Sequence, residues 1–308
     1  MRRYISQVWH FLTVGMSYMD RLKKLANEDE PFFYVNSEKL KEDIDFIHKN
    51  NIKNIFISGY QDYKLHNVDW FNEVGGQIQS LVITPPSNHE FSFNGLRYCT
   101  ELKKIKINNE TNDSIDLSNN KRLKKLSLLN YKFATGIEDL SRLESLVLTN
   151  KTPPKLITKE TFDRFKNLKS LTLQGVKLSN GLGFLKNSSI TTLVIFNCRK
   201  LSLKGLLELN ISYLDIDRCK NIENEELIYK LKSLKTLKLI DSVVVESADK
   251  LNALVDLESL VVMGTSYFKD GNFDSMKNRF MHFGFDNKKH YSIKYDAFNK
   301  VNLLSSCN

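Results

Sequence analysis

Two aspartates one residue apart, Asp215 and Asp217, are the residues of this 308-residue chain best placed to do chemistry. On an extended strand they share one face about 7 Å apart, a spacing at which two carboxylates can hold a cation or divide acid–base work. Two solvated acids doing neither is the plainer reading. Lys238 falls beside Asp215 one repeat later and is expected to pair with it for little net energy. The other reactive types converge less. Histidines at 10, 48, 66, 89, 282 and 290 lack metal-ligand spacing, and His282 is expected as a solvated surface residue. The cysteines at 99, 198, 219 and 307 contain no CxxC pair and are too irregular for a disulfide scaffold. Cys99 and Cys307 have no histidine beside them to generate a thiolate. GxxxxGK[ST], GxGxxG, HExxH and GxSxG are all missing. The expectation is a chain that is no enzyme, with no catalytic, cofactor-binding or metal-ligating residue and no cofactor.

What positions such residues is the next question. Hydrophobic residues make up 41% and charged residues 26% of the chain, a globular composition that excludes wholesale disorder. Forty-five basic against 36 acidic residues leave a net charge of +9, which points to an acidic partner and says nothing about fold. No run approaches the ~20 uninterrupted apolar residues of a spanning helix. The start, Met1-Arg2-Arg3, resembles an export signal until Ser6, Gln7, His10, Thr13 and Ser17 interrupt it. Ile5, Val8, Trp9, Leu12, Met16, Met19, Leu22 and Leu25 recur instead at helical spacing, predicting one amphipathic capping helix and a cytoplasmic chain, with a cryptic export signal or a membrane-surface helix as the alternative.

One pattern recurs along most of the sequence: apolar, two residues, apolar, one residue, apolar. It starts at Ile52, Ile78, Leu102, Leu123, Leu143, Leu168, Ile190, Ile211, Leu234, Leu257 and Phe280, at intervals of 20 to 26 residues. This resembles the leucine-rich repeat, LxxLxLxx followed by Asn or Cys, in its bacterial cytosolic form. The resemblance implies an α/β fold, a right-handed horseshoe solenoid. About eleven parallel strands would line its concave side, with short helices on the convex return. The residues agree with it independently, because the LxLx alternation is the period-two signature of a strand with one buried face. The eighth position, Asn or Cys in the family, holds Cys198 and Cys219 but elsewhere Tyr131, Lys151, Val176, Ser242 and Thr265. Mixed turn chemistry is therefore expected in place of an asparagine ladder, with Cys198 and Cys219 stacked as buried thiols. Glu160–Phe165, Leu203–Leu209, Glu225–Leu231 and Ser247–Leu254 carry helical spacing for the convex side. The organisation expected is an N-terminal capping region over 1–51 (helix, extended arm at 31–35, helix at 38–48), repeats over 52–287 and a C-terminal cap or tail over 288–308.

In this register two columns of side chains face outward from the concave sheet. The fourth position after each repeat start reads Phe56, Val82, Lys106, Ser127, Val147, Thr172, Val194, Asp215, Lys238, Val261 and Gly284. The sixth includes Phe196, Asp217, Ile240, Met263 and Asp286. Val194, Phe196, Ile240, Val261 and Met263, interrupted by Asp215 and Asp217, form an apolar cluster with a charged rim, the composition of a protein-binding hot spot. A flanking loop or the C-terminal tail folding over the cluster is the alternative. Lys104, Lys106 and Lys125, with Lys103, Lys124, Lys121 and Arg122, form a basic patch on two adjacent coils. It reads either as a site for an acidic partner or as a solubilising surface. Nucleic acid is less favoured, since no aromatic platforms are interleaved with the lysines.

These features predict a non-catalytic module that binds another protein, in particular an acidic one, on its concave face. The resemblance implies roles met among bacterial leucine-rich proteins, with an immunity protein that neutralises a toxin the favoured one. A secreted effector acting on a host protein, and a basic binder of nucleic acid or anionic surfaces, stay open.

Overall fold

The computed structural model describes residues 21–25, 30–86, 90–108, 113–276 and 279–296. Its central feature is one 13-stranded sheet. The strands are β1 (Leu22–Lys24), β2 (Pro31–Tyr34), β3 (Asn54–Ser58), β4 (Ser80–Thr84), β5 (Lys104–Ile107), β6 (Lys125–Leu128), β7 (Ser145–Thr149), β8 (Ser170–Gln174), β9 (Thr192–Phe196), β10 (Tyr213–Asp217), β11 (Thr236–Ile240), β12 (Ser259–Met263) and β13 (His282–Phe285). β3 to β13 are the eleven repeat strands, paired in sequence order and all parallel. The two additional strands come from the N-terminal region: β2 adds in parallel to β3, and β1 turns back antiparallel against β2.

The alternation in each repeat sorts its side chains. In β9, Leu193 and Ile195 are wholly buried while Thr192, Val194 and Phe196 are half-buried. The leucines of neighbouring coils interlock into one continuous spine, so each coil is stabilised chiefly by its two neighbours. Between coils the backbone repeats one device. The carbonyl one residue after each repeat start accepts the next two N–H groups of the following coil, as Lys124 O does from Glu144 (2.7 Å) and Ser145 (2.9 Å). The same pair of bonds joins all ten junctions, from Lys53 to Glu258.

The return side holds less α-helix than the spacing predicts. Of the four segments, only Lys159–Phe162 is α-helical. The others contain 3₁₀ turns at Leu206–Glu208, Glu225–Lys230 and Ala248–Ala253. A repeat near 23 residues leaves too few for several α turns, and a 3₁₀ turn covers more distance per residue.

At the N-terminal end, Asn36 accepts a hydrogen bond from Glu38 N (2.8 Å) and opens a 3₁₀ turn that leads into α1 (Leu40–Lys49). Ile44 and Ile47 pack α1 onto the core. The expected extended arm at 31–35 is strand β2. The expected first helix falls mostly outside the described residues, but its last turn does not form, since Leu22–Lys24 is strand β1. Arg21 explains that choice. Its guanidinium grips both carboxylate oxygens of the fully buried Asp43 on α1 and donates to Tyr34 O, fixing the chain beside β2. At the other end Tyr291 is buried 4.8 Å ring to ring from Phe273, and Tyr295 stands 5.4 Å from Phe285. Phe298, Val301, Leu303 and Leu304, expected to join them, lie outside the described residues.

Candidate functional site: the concave sheet

Pairing places the expected columns in register strand by strand. Phe56, Val82, Lys106, Ser127, Val147, Thr172, Val194, Asp215, Lys238, Val261 and Gly284 are successive partners across the sheet. Phe196, Asp217, Ile240 and Met263 follow one another in the second column. The face is less uniformly exposed than the alternation predicts, because Val82, Ser58 and Thr149 are buried. A third column, two residues after each repeat start, completes it and includes Lys104, Lys125, Ser145, Ser170, Thr192, Tyr213 and Thr236.

Eleven in-register parallel strands, each carrying one LxxLxL unit, settle what the molecule is. It has the leucine-rich repeat fold. No family model matches the chain, and no curated protein does. Solved structures that resemble the chain include two from one bacterium. The functional domain of InlJ from Listeria monocytogenes, described as including a cysteine ladder, shares 15% identity over 80% of this chain and 50% of that one, with a TM-score of 0.44. An internalin (inlF) from Listeria monocytogenes shares 16% identity over 71% of this chain and 85% of that one, with a TM-score of 0.32. The chain thus spans half the length of the first. The register of the repeat strands, rather than this likeness, defines the leucine-rich repeat fold here.

The C-terminal half of the concave face brings together the predicted cluster and adds two residues to it. Val194, Phe196, Ile240 and Val261 are half-buried, and Met263 is 37% exposed. Arg218 lies over the Phe196 ring, 4.2 Å from its centroid, and holds Asp217 with two bonds, Nε to Oδ1 at 3.0 Å and Nη2 to Oδ2 at 3.1 Å. Its backbone is left-handed, φ 51°. Asn197, Asp241 and Gly264 occupy the same place in neighbouring coils with the same sign of φ, and these are types that tolerate it. Arginine is not among them. The strain is retained at a rim position where the side chain bridges an aromatic and an acid.

Asp215 and Lys238 are register neighbours, yet they form no direct ion pair. The Lys238 ammonium sits 5.4 Å from the Tyr213 ring, and its hydrogen bond to the tyrosine raises its pKa, aided by the nearby charge of Asp215. Tyr213, two residues before Asp215 on β10, intercepts the lysine and donates to Asp215 Oδ2 at 3.4 Å. Asp215 Oδ1 is shut off from solvent with no hydrogen-bond partner. Desolvation pushes the Asp215 carboxyl above the ordinary aspartate range and Asp217 adds to it, against the pull of Lys238 and Tyr213. Asp215 and Asp217 thus meet an aromatic and two basic residues. Among the described residues no group of three or more metal-ligating side chains converges, and no helix is long and apolar enough to cross a membrane.

The N-terminal half differs in character. Lys104 and Lys125 are register partners and Lys106 stands two residues from Lys104 on the same face. Lys104 and Lys125, but not Lys106, line a shallow cleft of about 260 Å³ together with Asn54, Ser80, Phe32, Glu30, Lys103 and Lys124. The basic residues on the flank are compensated: Lys124 pairs with Glu144 (2.7 Å), Lys121 with Asp139 (3.5 Å) and Arg122 with Glu101. Lys106 and Lys125 are exposed, and neither forms an ion pair among the described residues.

Behind the C-terminal half runs the expected mixed turn chemistry. Cys198 Sγ donates to Leu173 O (3.8 Å), Cys219 Sγ to Ile195 O (3.5 Å) and Ser242 Oγ to Ile216 O (2.9 Å), three successive rungs to equivalent carbonyls. Cys198 and Cys219 are buried free thiols. The neighbouring Cys198 sulfur, followed by burial, drives the Cys219 thiol well above its ordinary pKa. These sulfurs pack and donate, and they do not face the concave surface.

Proposed function

We propose that this protein is a non-catalytic recognition module that holds a partner protein against its concave sheet, with Val194, Phe196, Ile240, Val261 and Met263 as the apolar anchor and Arg218 as its rim. One observation supports this reading above the others. Five apolar side chains stay accessible on a face where polar residues would cost nothing, and a strained arginine is held rigid over one of them. Asp215, Asp217 and Lys238 contribute orientation more than affinity. Lys104, Lys106 and Lys125 offer the same partner an acidic-patch contact. Within this class we assign the protein to the bacterial cytoplasm and to the immunity type, binding and neutralising a toxin, ahead of a secreted effector acting on a host protein. That assignment is an analogy from fold to role, and a toxin-like reading frame beside the gene would support it.

Phe196→Asp and Ile240→Asp are expected to abolish co-purification of the partner while leaving the melting profile intact. Unchanged capture by both variants would refute the placement of the site. A second reading, binding of an anionic polymer, is favoured by the exposed Lys106 and Lys125. It predicts association that falls steeply with salt, whereas the apolar anchor predicts binding that survives about 0.5 M salt.

A further inference from the structure

The three columns of the concave face divide the molecule by charge. On β3 to β8 they carry Lys104, Lys106 and Lys125 and not one acidic residue; on β9 to β12 they carry Asp215 and Asp217, with Asp286 next after β13, against Lys238 alone. All five members of the apolar cluster also lie on β9 to β12. Between Lys106 and Asp215 the sheet advances five strands, about 24 Å at ~4.8 Å each, over the neutral Ser127, Val147, Thr172 and Val194.

Building on the protein-recognition reading, we infer that the concave face is polar along the solenoid axis and fixes the direction in which its partner lies. The partner is a protein that sets an acidic cluster on Lys104, Lys106 and Lys125 and, about 24 Å away, an aliphatic element bearing a positive charge on the Phe196–Ile240–Met263 cluster. Charge complementarity commits each end to its occupant. At the first end, Lys106 and Lys125 have no ion pair among the described residues where each flanking Lys124, Lys121 and Arg122 has one, so a partner's acids meet unspent charge beside a cleft that Asn54, Ser80 and three further lysine side chains line with a single carboxylate, Glu30. At the second, Arg218 consumes Asp217, so the surface is apolar with a weak negative bias. A partner docked the other way round would set its acids among Asp215, Asp217 and Asp286 and its aliphatic side chains over three lysines, with neither end satisfied.

Two labelled peptides test this on the intact protein: octaglutamate, and an eight-residue alternation of leucine and lysine. Their binding is read by fluorescence anisotropy at low salt against wild type, Lys106→Glu/Lys125→Glu and Phe196→Ser/Ile240→Ser, each variant checked by its thermal melt. The expected result is crossed. Octaglutamate weakens about tenfold or more on the lysine variant alone, and the leucine–lysine peptide loses comparable affinity on the second variant alone. Joining the two through a Gly/Ser linker of about 16 residues, whose mean span matches 24 Å, should tighten binding at least tenfold over either peptide. Equal losses on both variants, no loss on either, no binding of either peptide, or no gain from joining would overturn the polarity. A single-stranded oligonucleotide that outcompetes octaglutamate at Lys106 and Lys125 would also overturn it, in favour of a nucleic acid. Partner capture that still depends on Phe196 and Ile240 would then leave the recognition reading standing without its direction.

Discussion

Asp215 places a titrating group in an unfavourable setting that leaves a measurable trace. Its carboxyl is raised in the folded state, first by desolvation. A folded pKa above the unfolded one makes a stability contribution that is complete below the unfolded value and is lost as pH rises through the folded one. Asp215→Asn is therefore expected to stabilise the protein at pH 7, by about 1 kcal/mol or less since the group is partly solvated, and to lose that advantage toward pH 3. Urea unfolding of both proteins across that range measures the difference, and a pH-independent gap would remove the titration of Asp215 as its origin. Arg218 supplies a second test. Arg218→Gly relieves the left-handed backbone while surrendering the contacts to Phe196 and Asp217, whereas Arg218→Ala surrenders the contacts and keeps the strain. The glycine variant should be the more stable of the two by about 1 kcal/mol. Equal stabilities would mean the φ of 51° costs nothing. These residues also show where sequence reasoning reached its limit. Lys106, Asp215, Phe196 and Ile240 were legible because alternation assigns them a face. Tyr213 sits in the column beside that of Asp215, and Arg218 lies beyond the strand, where only the backbone sign reveals its role. The Asp215–Lys238 pairing failed for the same reason, since Tyr213 intercepts the lysine.

At the scale of elements, the repeat strands could be read to the residue, because an LxLx unit has only one face to bury. The ends could not. A helical apolar spacing runs from Ile5 to Leu25 in the sequence, yet Leu22–Lys24 pairs as a strand. The deciding interaction, Arg21 with Asp43, spans 22 residues, beyond any local pattern. That ion pair fastens β1 and β2 to α1. Arg21→Ala leaves a fully buried carboxylate without its cation and should cost about 3 kcal/mol, with amides of α1 and β2 exchanging faster while those of β8 to β10 keep their protection. Uniform loss of protection would show that this end does not open separately. The convex segments carry helical spacing but too little length for several α turns, and in three of the four, 3₁₀ turns do the same work in fewer residues.

Over the whole molecule, stability passes from coil to neighbouring coil through the leucine spine. Leu214→Ala, at a wholly buried position on β10, is expected to cost 2–5 kcal/mol, about the range for such cavities. Its effect on hydrogen exchange should fade over the coils to either side, and an equal effect at β3 would mean the solenoid unfolds as one unit. The doubled hydrogen bonds at the ten junctions carry a further consequence. Every joint is made by the same pair of backbone bonds, so the molecule is a ruler with interchangeable graduations. Excising residues 143–167, one full coil from its neutral middle, would let Lys124 O receive Lys169 and Ser170 directly. The two ends of the binding strip would then stand one graduation closer, and a partner cut to the original length would no longer fit both.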